Sequence, residues 1–379
     1  MRILIATETA GGGHLAAAAA LEEAWLALRP KDTVERLDLV KLFSPLHKKI
    51  HAAGYEKLVA RAPELWGMIF AKTDDPKVAR RLNRIKGLFP SRARRRFEKI
   101  IADFKPDVVL CTHYEPVEAL AELRRDQKKR TPFIVSVVTD FEAHALWMDA
   151  DVDLYCVAAE ETKARLIARG AADEKAVATG IPIGAKFAGK VDVLAVRRTL
   201  GLRDDLPTLL VLSGGFGMGP VGKILTALDK VTGTFQTVVV CGRNEELRRD
   251  LAAQDRKHPT RVLGFASNMH ELMTVADLIL TKPGGLTSSE ALALGKPLFI
   301  LDPIPGQEAA NSDFLLERGA AAKVNRVEDL PFRIEQLLGS KKLAEMAKTA
   351  KALGRLKSAE SVCKEVLARV KSGAETKSK

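Results

Sequence analysis

The chain has 379 residues, 46% hydrophobic and 28% charged, with 60 Lys and Arg against 48 Asp and Glu for a net charge of +12. That length suits about two domains, and the composition excludes a disordered chain, a collagen-like chain and a small disulfide scaffold. The four cysteines, Cys111, Cys156, Cys241 and Cys363, are far apart with no C-x-x-C pair, so neither a zinc site nor a disulfide framework is expected and a reducing cytoplasm is the simplest setting. No apolar run approaches the roughly 18 residues of a membrane span. The opening MRILIATETA has the pattern of a buried strand and lacks the cleavage-site chemistry of a signal peptide.

Taken in chain order, residues 2–6 read as a strand, followed by the turn Gly11-Gly12-Gly13-His14 and an alanine-rich helix over 15–28. Residues 34–39 read as a second strand. His14 ends a glycine turn at a helix start, a position that suits a general base, although a lone histidine is more often structural. Residues 41–100 hold 16 Lys or Arg and 5 Asp or Glu, nearly the whole charge surplus, and read as largely helical. Their densest stretch, 80–101, includes Arg92, Arg94, Arg95 and Arg96 among Leu88, Phe89 and Phe97. Such a segment fits an anionic membrane surface, nucleic-acid phosphate, or a solvated helix face with no partner. Residues 107–111, 133–138 and 154–157 are short apolar runs of the parallel-strand type, the last followed by a helix over 159–169. Asp140 and His144 lie just beyond one of these strands; Asp140 could orient an imidazole or cap a helix. Asp149, Asp151 and Asp153 form two D-x-D spacings that read as a solvated turn, and no metal ligand is expected.

A boundary falls after Gly180-Ile181-Pro182, and a helix over 193–200 precedes a second set of alternating strands and helices. The strand 208–212 feeds SGGFGMG at 213–219, whose Gly214 and Gly215 could admit a phosphate, or make a plain tight turn. This is neither G-x-G-x-x-G nor a P-loop. Strands follow at 236–241, 262–264 and 278–280. The last leads into TKPGGLTSSEA, where Glu290 fits either a ribose diol or a capping acid. The strand 297–301 leads into PIPGQEAAN, residues 303–311, whose Gln307, Glu308 and Asn311 offer the mixed donors and acceptors that sugar hydroxyls need. Ligands bind at the carboxyl ends of strands in open parallel sheets, so three such turns together argue for a crevice. The expected fold class is α/β, two Rossmann-like domains with parallel sheets facing a central cleft, over 1–182 and 183–371, with a disordered polar tail from 372.

These motifs together resemble the diacylglycerol glycosyltransferases of glycosyltransferase family 28. The residues concerned are GGGH at 11–14, TDF at 139–141 with His144 and Trp147, and GIP at 180–182. CGRN at 241–244, LGF at 263–265, TKPGGLTSSEA at 281–291 and PIPGQEAAN at 303–311 complete the set. The resemblance covers about residues 1–370 and implies a GT-B fold with inverting, metal-independent hexose transfer from UDP-glucose or UDP-galactose to a diacylglycerol-type lipid. UDP-sugar is then a substrate, and no cofactor is implied. By resemblance, Gly214, Gly215, Gly285, Leu286 and Thr287 hold the diphosphate, Glu290 the ribose, and Phe265 and Met269 the uracil. Gln307 and Glu308 read the donor sugar with Asn311 beside them, His14 is the base or an acceptor-site residue, and His144 is an acceptor-side candidate. The basic insertion matches the region where relatives dock on anionic lipid, which implies a cytoplasmic protein peripheral to the inner face of the cell membrane. Two rivals share the fold, a UDP-sugar epimerase and a non-catalytic UDP-sugar sensor. A nucleic-acid binder ranks last, because the basic patch has no interleaved aromatic platform.

Overall fold

The computed structural model describes residues 1–9, 12–45, 62–75, 77–79, 91–127, 131–214, 220–301 and 303–376. The chain forms two compact units, one of residues 1–185, 304–307 and 357 onward, the other of 186–303 and 308–356.

In the first unit the elements run β1 (Arg2–Thr7), α1 (Gly12–Leu28), β2 (Thr33–Asp38), α2 (Pro63–Thr73), α3 (Ser91–Phe104), β3 (Val108–Cys111), α4 (Tyr114–Gln127), β4 (Phe133–Val137), β5 (Leu154–Val157), α5 (Glu160–Ala168) and β6 (Ala176–Ala178). The strands form one parallel sheet in the order β2-β1-β3-β4-β5-β6. Ile3, Leu4, Ile5 and Ala6 are all buried, because helices cover both faces of a parallel sheet and its inner strands must be apolar on both sides. On one face Ala18, Leu21 and Trp25 of α1 pack against Ile3 and Ile5. On the other, Phe97 and Ile101 of α3 and Leu120 of α4 pack with Leu4 and Val109.

The second unit runs α6 (Val193–Leu200), β7 (Thr208–Leu212), α7 (Val221–Leu228), β8 (Gln236–Val240), α8 (Glu245–Ala252), β9 (Thr260–Leu263), α9 (Met269–Val275), β10 (Leu278–Thr281), α10 (Gly285–Ala293), β11 (Leu298–Leu301), α11 (Gln307–Glu317), β12 (Ala321–Val324), α12 (Leu330–Leu337) and α13 (Lys341–Leu353). Gln307, which opens α11, belongs to the first unit. The sheet is again parallel, in the order β12-β11-β10-β7-β8-β9. The two doubly wound parallel sheets are the α/β architecture that the alternating pattern implies.

The chain then returns to the first unit as α14 (Ser358–Thr376), which the sequence reading placed with the second domain. The physical reason is a stripe of Val362, Cys363 and Val366, fully buried against Ala18, Leu21 and Trp25 of α1. The helix extends through 372–376, part of the expected disordered tail; 377–379 lie outside the described residues. The four cysteines are buried and unpaired. Among the described residues no helix is long and apolar enough to cross a membrane.

Candidate active site

In each sheet, successive strands are laid to one side of the first strand and then to the other. The reversal falls between β1 and β3 in the first sheet and between β7 and β10 in the second. At such a point the loops leaving the two neighbouring strands diverge and open a crevice beyond their carboxyl ends. The turns at His14, Gly214 and Gly285 lie there.

In the second unit, β7 ends in Ser213 and Gly214, and β10 ends in the turn that begins α10. Gly214 has φ +77° and is exposed, a left-handed conformation that admits glycine at little cost. Gly215, paired with it in the sequence reading, lies outside the described residues. The N-cap of α10 is Gly284, which offers no capping side chain. Ser288 N–H donates to Gly284 O, whereas the N–H groups of Gly285, Leu286 and Thr287 make no hydrogen bond among the described residues. Three open donors on the positive end of a helix dipole form a site for anionic oxygen. Glu290 stands one turn further along α10. Burial pushes its pKa up to about 7, against the opposing pull of Lys186.

At neighbouring strand ends, Phe265 follows β9 and is 65% exposed, with the Arg243 guanidinium 5.5 Å from its ring centroid. An aromatic face this open is available to a planar ring. Met269 opens α9, half-buried. Gln307 and Glu308 open α11, both half-buried, but Asn311 is fully buried within that helix.

In the first unit, His14 lies in the first turn of α1 beyond β1, beside Thr112 at the end of β3. Its Nδ1 is 2.8 Å from Thr112 O and 3.0 Å from Thr139 Oγ1. A carbonyl oxygen only accepts, so Nδ1 carries the proton and Nε2 holds the lone pair. Nε2 makes no hydrogen bond among the described residues. Thr112 Oγ1 in turn donates to His14 O at 3.1 Å, closing the turn onto β3. Desolvation, then the His113 ring with its centroid 4.9 Å away, push the His14 pKa down to about 3. The imidazole is thus neutral and fixed in one tautomer, with the lone pair on Nε2.

Two further candidates lie in the same unit. The side chain beside the His14 ring is that of Thr139, next in the chain to Asp140, which the sequence offered either as orienting an imidazole or as a helix cap. His144 has both nitrogens engaged: Nε2 donates to Phe70 O at 2.9 Å, and Nδ1 accepts from Leu146 N–H at 3.1 Å. In the loop after β4 it fastens α2 through Phe70. Among the arginines of α3, Arg92, Arg95 and Arg96 are exposed. Arg94 instead turns inward to Glu122 and Glu98, and Arg96 also donates to Leu42 O.

Sequence reasoning missed what stands behind His14. Glu8, His113 and Glu115 are buried together, with His113 Nδ1 2.8 Å from Glu8 Oε2. Their ligand-type atoms lie within 4.8 Å of one another. Desolvation first, then the Glu8 carboxylate, raise the Glu115 pKa well above its ordinary value. Each follows a strand at the same switch point; two acids and a histidine just past strand ends were the available signal.

The monogalactosyldiacylglycerol (MGDG) synthase family matches residues 14–183, and the glycosyltransferase family 28 C-terminal domain matches 211–366. The chain is 31% identical to a processive diacylglycerol beta-glucosyltransferase of Bacillus cereus over 374 residues, 97% of this chain and 93% of that one. It is also 31% identical to the protein of the same name from Bacillus licheniformis, over 96% of this chain and 94% of that one. Solved structures share the fold at low identity. Acinetobacter baumannii MurG has a TM-score of 0.59 at 17% identity, over 97% of this chain and all of the other. A UDP-GlcNAc 2-epimerase from Neisseria meningitidis bound to UDP-GlcNAc scores 0.64 at 14%, with the same coverage. Anabaena HepE in complex with UDP-glucose scores 0.56 at 15%, again over 97% of this chain and all of the other.

Proposed function

This chain belongs to glycosyltransferase family 28, among the diacylglycerol β-glucosyltransferases, and from that premise we propose that it moves a hexose from a UDP-sugar to a diacylglycerol-type lipid, giving a β-glycosyl glycolipid. The observation that supports the reading is that two of the motifs on which the resemblance rests lie at the switch points of the two sheets: His14 beyond β1, and the α10 turn with Glu290 beyond β10. Likeness to epimerases is likeness of fold alone, at 14% identity, whereas likeness to the glucosyltransferases runs through the whole sequence.

In this reading the second unit holds the nucleotide of the donor. The open N–H groups of Gly285, Leu286 and Thr287, with the glycine loop beginning at Gly214, bind the diphosphate. Glu290 accepts from the two ribose hydroxyls, Phe265 and Met269 flank the uracil, and Gln307 and Glu308 read the hexose. The first unit supplies the base. Nε2 of His14 takes the proton of the acceptor hydroxyl as its oxygen attacks the anomeric carbon opposite UDP. Thr112 O and Thr139 Oγ1 stabilise the imidazolium that forms, since both accept from Nδ1–H. Charge growing on the departing UDP meets fixed N–H dipoles that need no reorganisation. A single displacement inverts the α-linked donor to a β-glycoside. Arg92 and Arg95 on the outer face of α3 meet anionic lipid, and the protein works peripherally at the inner face of the cell membrane.

The test is to offer the purified protein UDP-glucose, UDP-galactose and UDP-N-acetylglucosamine with diacylglycerol vesicles and to read the lipid by mass. A hexose added to diacylglycerol is the expected product. A second UDP-sugar formed without any acceptor would mark an epimerase, and binding of the donor with no turnover would mark a sensor.

A further inference from the structure

The turn that precedes α11 does not stand alone. It rests on α2, a helix of the basic segment some 240 residues earlier in the chain. Trp66 Nε1 lies 3.3 Å from Gln307 Oε1. A Cβ added at Gly67 would stand 2.9 Å from Pro305 Cβ, and one at Gly306 would stand 2.8 Å from Phe70 Cγ. Both glycines are thus needed for backbone and ring to approach this closely, and Gly306 also has φ +97°. The far end of α2 is anchored. His144 Nε2 donates to Phe70 O, and Asp74 accepts from Ala145 N at 2.9 Å and from Arg169 Nη1 at 2.8 Å. The helix is a strut, fixed at its C-terminus and carrying Trp66, Gly67 and Phe70 against the turn.

An indole N–H only donates, so the Gln307 amide oxygen must be the atom facing Trp66. That choice sets the orientation of the whole planar amide, with Oε1 on the Trp66 side. We propose that Trp66 is a positioning residue for donor-sugar recognition: by holding the Gln307 amide in one orientation it presents the Nε2 donors to a hydroxyl of the hexose of a UDP-sugar. This rests on the reading of Gln307 as a donor-sugar residue. Hydroxyls that differ only in configuration, axial or equatorial, are told apart by a fixed donor and not by one free to rotate.

The experiment is calorimetric titration of the full chain with UDP, UDP-glucose and UDP-galactose, for the wild type, Trp66→Phe, Gln307→Ala and the double variant. Trp66→Phe keeps the ring beside Phe70 and removes the donor. It is expected to weaken the preferred UDP-hexose about fivefold, the size of one neutral hydrogen bond, to narrow the difference between the two hexoses, and to leave UDP unchanged. In the Gln307→Ala background the same change should have no further effect. Gly306→Ala, which drives a methyl group into Phe70, is the second variant and should also weaken the UDP-hexose without weakening UDP. Equal weakening of UDP and UDP-hexose, no weakening at all, or additive effects in the double variant would overturn the proposal. Wild-type protein that binds no UDP-hexose overturns both the donor reading and this inference. If the wild type binds UDP-hexose but glycosylates no lipid, the acceptor reading alone falls, and the titrations still decide the role of Trp66.

Discussion

At the residue scale, two groups are shifted by their surroundings in opposite senses. His14 is kept neutral by desolvation and by His113. His14→Ala should therefore abolish most turnover, on the order of 10²-fold or more for a lost general base, while the dissociation constant for UDP stays as in the wild type. Normal turnover in that variant would remove His14 from the chemistry. Glu290 is raised to about 7 by burial, and on the proposed reading it is the ionised form that accepts from the ribose hydroxyls. UDP-glucose affinity should rise as pH increases through 7, and Glu290→Gln should flatten that dependence; calorimetry between pH 6 and 8 reads both. Stability follows the same signs. Glu118 is raised to about 7, chiefly by desolvation and then by Glu122 and Asp149. Above the ordinary value of 4.5 the unfolded chain loses this proton first, so the native state is progressively disfavoured as pH climbs towards 7. Glu118→Gln should lessen that loss in denaturant melts. His14 and Glu290 were legible in the sequence because a glycine turn after an apolar strand fixes where the next side chains stand. Thr139 was not: it and Asp140 are adjacent, and only the register of β4 against β3 decides which of them reaches the imidazole.

Among the elements, the inner strands were legible as uninterrupted apolar runs, whereas β6, with sequence AVA, and β12, with AAKV, were not. Both are short edge strands rich in alanine, and only pairing with β5 and β11 makes them strands. The role of α2 was equally hidden, because its partner is the turn at 304–307. A second close approach is testable by itself. Gly354 ends α13, and a Cβ there would collide with the Leu292 carbonyl oxygen and stand 2.8 Å from Ala293 Cα. Backbone cannot yield as a flexible side chain does, so Gly354→Ala should destabilise the second unit by about 1–3 kcal/mol. A melting temperature equal to that of the wild type would show that α13 and α10 can part at no cost.

Across the whole molecule, the two parallel sheets could be read from sequence because strand and helix alternate throughout, but the return of α14 could not. Its apolar stripe fits any exposed helix face, and only the packing shows that α1 receives it. The charge excess was legible in amount and not in direction. Arg94 is tied to Glu122 within the fold, while Arg92 and Arg95 face outward. Reversing the charge of Arg92 and Arg95 should therefore weaken binding to anionic vesicles, more so at low salt where screening is least. Arg94→Ala should lower stability instead. Vesicle co-sedimentation at two salt concentrations checks the first expectation, and undiminished binding would leave these arginines as a solvated face.

The most direct measurement is the proton NMR spectrum of the lipid recovered after incubating the protein with UDP-glucose and diacylglycerol vesicles. In-line displacement at a carbon α-linked to UDP predicts a hexose on the glycerol hydroxyl with the large anomeric coupling of a β-glycoside. An α-anomeric signal would contradict the single displacement with His14 as base, and a lipid fraction free of sugar would contradict the transfer itself.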